Sequence, residues 1–223
     1  MSDFTGRTVV LTGSSGALGA GLATAFVDAG AEVVGVDRMA PDARATVDGV
    51  RYQTADLTND AEVGALFDEI GTPWAVVSTV GGFAPNTPIA ELDVDELSTQ
   101  LALNLTTAVV ATKHALRTMV PAGAGRIVLT ASRAATQTKG NGFSYSVSKL
   151  AVLHLVRMAS EEVAGTGISV NAVVPSIIDT PANRASMPDA DHDRWPKVTD
   201  LARAYLFLAS PTSKPVNGAA LPV

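Results

Sequence analysis

The chain contains no cysteine, which excludes disulfides, thiolate metal centres and cysteine nucleophiles. Histidine is nearly as scarce. His114, His154 and His192 stand far apart without metal-ligand spacing, so no metal site is expected. Basic residues are outnumbered, with 16 Lys and Arg against 22 Asp and Glu and a net charge of −6. No basic cluster offsets that balance, and no nucleic-acid partner is expected. No apolar run reaches the roughly 18 residues of a membrane span. The opening MSDFTGRTVVLTG lacks a basic region leading into an apolar run and a small-residue cleavage site. The expectation is therefore a chain with no signal peptide and no membrane partner, in the cytoplasm. The absence of cysteine suits such a reducing compartment. Internal repeats, low-complexity stretches and linkers are missing as well.

What remains is a chain of 223 residues, 47% hydrophobic and 17% charged, sized for one large α/β domain. Apolar runs rich in β-branched residues occur at 7–12, 32–37, 50–54, 74–79, 125–131, 168–174 and 219–223. Most are continuous rather than alternating, which means burial on both faces and parallel pairing. Helical patterns fall between them, near 17–29, 60–70, 93–118, 143–164 and 199–209. This alternation predicts a Rossmann-type doubly wound α/β domain spanning 1–223. Its seven-stranded sheet would be mostly parallel, with helices on both faces. The helices near 98–120 and 143–164 are apolar on nearly all sides, as in LALNLTTAVVATKHALRTMV. Such helices need cover on both sides. The sheet covers one side, and a second subunit is expected on the other, giving a homodimer or homotetramer.

The first strand runs into TGSSGALG. Gly13, Gly16 and Gly19 sit between strand and helix, where glycine allows a tight turn and close backbone approach to a ligand. Free N–H groups of the helix N-terminus then face an anion such as a pyrophosphate. The second strand ends in Asp37, close to the offset of about 20 residues expected for an acid on a ribose 2′-hydroxyl. A carboxylate there repels a 2′-phosphate and favours NAD(H). The adjacent Arg38 leaves NADP(H) open.

Tyr145 and Lys149 are four apart on a predicted helix and so share a face. A phenol near its ordinary pKa of about 10 is a poor proton carrier at neutral pH. A neighbouring ammonium is expected to lower that pKa and fit the tyrosine for proton exchange with an alcohol oxygen. Ser132 follows the strand GRIVLTA, at the carboxyl end of the sheet, where its hydroxyl can polarise a carbonyl.

These motifs together resemble the short-chain dehydrogenase/reductases, nearly end to end. The likeness rests on TGSSGALG at 12–19, Asp37, Asp56-Leu57, the LNL at 103–105, Ser132, Y-x-x-x-K at 145–149 and NAVVP at 171–175. The resemblance implies a catalytic set of Asn104, Ser132, Tyr145 and Lys149. Tyr145 would be the general acid/base, and Ser132 would orient the carbonyl. Lys149 would lower the Tyr145 pKa and hold the nicotinamide ribose, and Asn104 would support a proton-relaying water. It also implies a cofactor site at Gly13, Ser15, Gly16, Leu18, Gly19, Asp37, Asp56, Leu57, Gly81, Tyr145, Lys149, Pro175 and Thr180. Asp56 would touch the adenine, and Thr180 the carboxamide.

Two departures stand out. STVGG at 78–82 replaces the family's N-x-A-G, and Ser176 replaces a glycine after Pro175. A local likeness to the dihydropteridine reductase branch appears at 179–195 and at the pair Gly81–Gly82. Segment 176–198 follows the sixth strand and reads as a substrate lid. Arg184, Met187 and Trp195 within it, together with Gly82 outside it, are the candidate substrate contacts. The leading expectation is hydride transfer between NAD(H) and a small-molecule ketone/secondary alcohol pair. An NADH-dependent pterin reductase and a non-catalytic NAD(H) sensor are the alternatives, and a sensor has no need of all four catalytic groups.

Overall fold

The computed structural model describes residues 4–42, 46–83, 87–137 and 142–223. The leaderless reading of the N-terminus falls partly on residues 1–3, outside the described residues. Seven strands form one sheet: β1 (Thr8–Thr12), β2 (Glu32–Asp37), β3 (Val50–Thr54), β4 (Ala75–Ser78), β5 (Gly125–Thr130), β6 (Ile168–Val174) and β7 (Ala220–Pro222). The order is β3-β2-β1-β4-β5-β6-β7. Every pairing is parallel, so the sheet goes further than the mostly parallel one expected. All residues of β4 and β6 are buried, which is why those strands read as unbroken apolar runs.

Adjacent strand residues point to opposite faces and feed two cores. Val10, Val76, Ile127 and Val170 face one layer, with Phe67 and Val63 of α2 (Asp60–Ile70), Met119 of α4 (Thr107–Ala122) and Val152 of α5 (Phe143–Glu162). Val9, Leu11, Val77 and Val128 face the other, with Leu22 and Phe26 of α1 (Ala17–Asp28) and Tyr205 and Leu208 of α7 (Val198–Ala209). The chain reverses its winding between β1 and β4. The crevice beyond those two strand ends is where open α/β sheets hold ligands.

The helix expected over 93–118 is broken in the middle. α3 (Val94–Leu101) passes into a π-helical turn, Ala102–Thr106, before α4 resumes. Such turns concentrate at functional sites because the extra residue re-aims a side chain. Here the turn carries Asn104. The expected lid is not all loop. It contains α6 (Pro181–Ser186), capped by the Thr180 hydroxyl, which accepts from the Asn183 N–H at 3.2 Å. A bridge between Asp179 and Lys197 closes its base.

Candidate active site

The glycine-rich turn is built by close approach. Gly13 has φ +76, a conformation that L side chains rarely adopt, and its N–H donates to the Val36 carbonyl at 2.8 Å. A Cβ on Gly19 would stand 2.0 Å from the Gly13 carbonyl oxygen, so α1 packs against the turn only because residue 19 is glycine. Asp37 faces this turn. Its Oδ2 accepts from the Ser15 N–H at 2.7 Å and the Ser14 hydroxyl at 3.3 Å. The Ser15 hydroxyl is buried without a partner. A buried, unpaired hydroxyl costs free energy unless a ligand completes it. Gly16 is exposed and Leu18 half-buried on the open side of the turn. These features fit a dinucleotide phosphate, with Asp37 beside it.

At the end of β4, hydroxyls replace the family's asparagine. The Thr12 hydroxyl donates to Ser78 Oγ at 3.1 Å, and the Thr79 hydroxyl to the carbonyls of Thr12 at 2.8 Å and Gly13 at 3.2 Å. β1 and β4 are thus tied together just below the crevice. Asn104 then grips the chain beyond. Its Oδ1 accepts from the Gly82 N–H at 3.1 Å, and its Nδ2 donates to the Gly82 carbonyl at 3.1 Å. The second Nδ2 proton goes to Gln100 Oε1 at 2.9 Å.

Lys149 is buried, and its Nζ donates to the Thr130 carbonyl at 2.9 Å. Desolvation lowers its pKa from 10.5 to about 8. A Cβ on Gly81 would lie 2.5 Å from Asn104 Oδ1 and 2.9 Å from Lys149 Nζ. Gly81, Asn104 and Lys149 therefore converge on one point. Tyr145 stands a helical turn before Lys149, with the Ser132 side chain near enough to bear on its pKa. Ser132 Oγ accepts from the Ala134 N–H at 3.2 Å. Burial raises the Tyr145 pKa, and the Ser132 side chain opposes that rise. This corrects the expectation that Lys149 lowers it. In the protein alone the ammonium is turned to the Thr130 carbonyl, and desolvation of the phenol dominates.

The remaining predicted residues are placed less uniformly. Pro175 is buried, and its carbonyl accepts from the Arg133 N–H at 3.0 Å, tying the Ser132 turn to the end of β6. Thr180 uses its hydroxyl as acceptor for the α6 cap and keeps its proton for donation. Asp56 accepts from the Thr58 N–H and hydroxyl, which lower its pKa, and Leu57 is a core residue. Arg184 does not stand ready for an anion. It makes a two-pronged pair with Asp179, at 2.5 and 2.9 Å. Trp195 meets the His192 ring at a tilt with centroids 4.5 Å apart, and His192 Nε2 binds the Met187 carbonyl at 2.8 Å, so these residues brace the lid internally.

Sequence reasoning missed Gln100, Thr79 and Phe83. Phe83 is 63% exposed, yet its ring meets that of Tyr145 edge-on at 5.2 Å. An aromatic directly after the glycine pair was the available signal. Among the described residues no cluster of His, Asp and Glu suits a metal, and no helix is long and apolar enough to cross a membrane.

A glycine-rich turn at the switch point of a parallel sheet, facing a tyrosine–lysine pair with serine and asparagine, defines a nicotinamide-dependent oxidoreductase of the Rossmann class. The family model for short chain dehydrogenase matches residues 7–191, and the chain belongs to that family. The protein is an oxidoreductase acting on CH–OH/C=O groups. It is 34% identical over 238 residues to cis-4-hydroxycyclohexanecarboxylate dehydrogenase of Sinomonas cyclohexanicum, covering 99% of this chain and 96% of that protein. A short-chain type dehydrogenase/reductase from Mycobacterium ulcerans superposes with a TM-score of 0.91 at 31% identity, covering 99% of this chain and 89% of that one. A gluconate 5-dehydrogenase from Burkholderia cenocepacia, solved with NADP and tartrate, gives 0.89 at 26% identity, covering 99% and 94%.

Proposed function

We propose that the protein interconverts a secondary alcohol and its ketone with NAD(H), using Tyr145 as general acid/base. The observation carrying this reading is the placement of the Ser132 side chain beside the Tyr145 phenol. It sets two O–H groups to meet one substrate oxygen. In reduction, Tyr145 gives its proton to the carbonyl oxygen. Ser132 donates a hydrogen bond to the same oxygen as charge develops on it. Lys149, with a pKa of about 8, sits in the range where it exchanges protons near neutrality. Asn104 and Gly81 form the wall against Lys149 Nζ. The bound nicotinamide supplies or takes the hydride.

NAD(H) is favoured over NADP(H) because Asp37 holds a carboxylate beside the glycine-rich turn. The exposed ring of Phe83 against Tyr145 supports an alicyclic or otherwise apolar substrate face over a polyol. The name of the Sinomonas relative is in keeping with that class. A subunit interface along α4 and α5 is supported by their exposed Val109, Val120, Leu150 and Met158. Sedimentation of the protein would then give a dimer or tetramer.

The test is a screen read at the NADH absorbance band, with NAD+ and NADP+ against cyclohexanol, cis-4-hydroxycyclohexanecarboxylate and gluconate. Turnover of an alicyclic alcohol with NAD+ is expected. Turnover confined to gluconate with NADP+ would overturn the substrate and cofactor assignments.

A further inference from the structure

Asn104 has four hydrogen-bonding positions, and their arrangement decides which way its amide faces. The two ends of an asparagine amide are nearly the same shape, so partners must set the orientation. The Gly82 N–H requires an acceptor opposite it, and the Gly82 carbonyl requires a donor. One Nδ2 proton is left over in a site where Asn104 is 1% exposed. That proton would be a buried donor without a partner were it not for Gln100. Gln100 lies one helical turn earlier, in the last turn of α3, and is 7% exposed. Its Oε1 accepts the leftover proton at 2.9 Å.

The placement of Gln100 is also unusual. A polar residue buried at the end of an amphipathic helix needs a reason, since a leucine there adds apolar contact without the desolvation cost. The π-helical turn begins at Ala102, directly after α3 ends, and carries Asn104 toward the end of β4. A helix interrupted in this way needs something to tie its two parts together. The Gln100–Asn104 bond runs across that interruption.

We infer that Gln100 is a positioning residue: it holds the Asn104 amide with Oδ1 toward Gly82 and Lys149, and so registers the Gly81–Gly82 backbone against the catalytic lysine. The inference rests on the proposed role of Asn104 in catalysis. Gln100 itself touches neither substrate nor cofactor and acts only through Asn104.

A double-mutant cycle tests it. Gln100→Leu removes the acceptor, Gln100→Glu keeps one in either protonation state, and each is made with and without Asn104→Ala. Two readouts are followed: hydrogen exchange at the Gly82 amide, which needs no substrate, and kcat on the most active alcohol of the screen. Thermal melting checks that each variant folds. Gln100→Leu is expected to speed Gly82 exchange and to lower kcat, each roughly tenfold, the factor that one buried hydrogen bond is worth. Gln100→Glu is expected to restore both, and in the Asn104→Ala background Gln100→Leu should change neither. Equal losses in both backgrounds overturn the inference, as does faster Gly82 exchange with kcat unchanged in the native background. Should Asn104→Ala alone leave kcat intact, the catalytic reading of Asn104 fails. The exchange data then still decide whether Gln100 acts through Asn104.

Discussion

Lys149 directs its ammonium at a main-chain carbonyl, that of Thr130, 2.9 Å away, while nearly all of its side chain is out of water. Its pKa of about 8 is the record of that burial. Below pH 8 the folded state holds a charge in a dry place, at a cost of about 3 kcal/mol for a shift of this size. As pH rises from 8 to 10.5 the folded lysine is neutral while the unfolded one is still charged, so this cost fades. Lys149→Met is therefore expected to raise stability at pH 7, by about 1–3 kcal/mol, and to abolish turnover. Urea unfolding at pH 7 and pH 10 checks both magnitude and fading; a destabilised variant at pH 7 would contradict it.

Gly81 lies against the same lysine. Alanine there would place a methyl 2.5 Å from Asn104 Oδ1 and 2.9 Å from Lys149 Nζ. Contacts this short force these groups or the backbone to shift, and a misplacement of about 1 Å at an active site costs about a hundredfold in rate. Gly81→Ala is expected to lose about that factor in kcat. Steady-state kinetics with melting as control would show it, and a variant within threefold of the parent would refute the convergence of these three residues.

Asp37 sets the cofactor choice in this account. Asp37→Ser removes the carboxylate and keeps a hydroxyl near the Ser15 N–H. NAD+ affinity is expected to fall about tenfold while NADP+ affinity rises, because the charge that repels a 2′-phosphate is gone. Fluorescence titration with NADH and NADPH measures both. An unchanged ratio of the two dissociation constants would assign cofactor choice elsewhere.

Thr79 takes the place of a family asparagine and secures the Gly13 carbonyl. Thr79→Val should destabilise the fold by about 1 kcal/mol, through the loss of the hydroxyl bonds to Thr12 and Gly13. Because the hydroxyl holds the phosphate turn, NADH should also bind more weakly. Chemical denaturation and titration with NADH separate the two effects.

Much of this architecture was legible because parallel strands buried on both faces leave unbroken apolar runs. All seven strands fall within the expected ranges, the edge strands β3 and β7 being the two without buried residues, and the order of glycines, Asp37, Asn104, Ser132, Tyr145 and Lys149 marks the crevice. Local pattern did not reveal the π-helical turn, since 93–118 keeps helical spacing on both sides of Asn104 and one added residue barely disturbs the periodicity. Nor did it reveal that Arg184 is taken by Asp179, because ion pairing in a lid depends on how α6 folds back. The Tyr145 pKa was misjudged for a related reason. Sequence spacing places Lys149 on the same face, but burial decides which effect wins, and burial is a property of the whole fold.

The central claim is that Tyr145 moves the proton, and Tyr145→Phe tests it most directly because it removes one oxygen and keeps the ring that meets Phe83. The account predicts that this variant binds NADH with near-parental affinity and loses turnover by at least about a hundredfold at every pH, in line with the removal of a general acid/base. Turnover within tenfold of the parent on the same alcohol would contradict it.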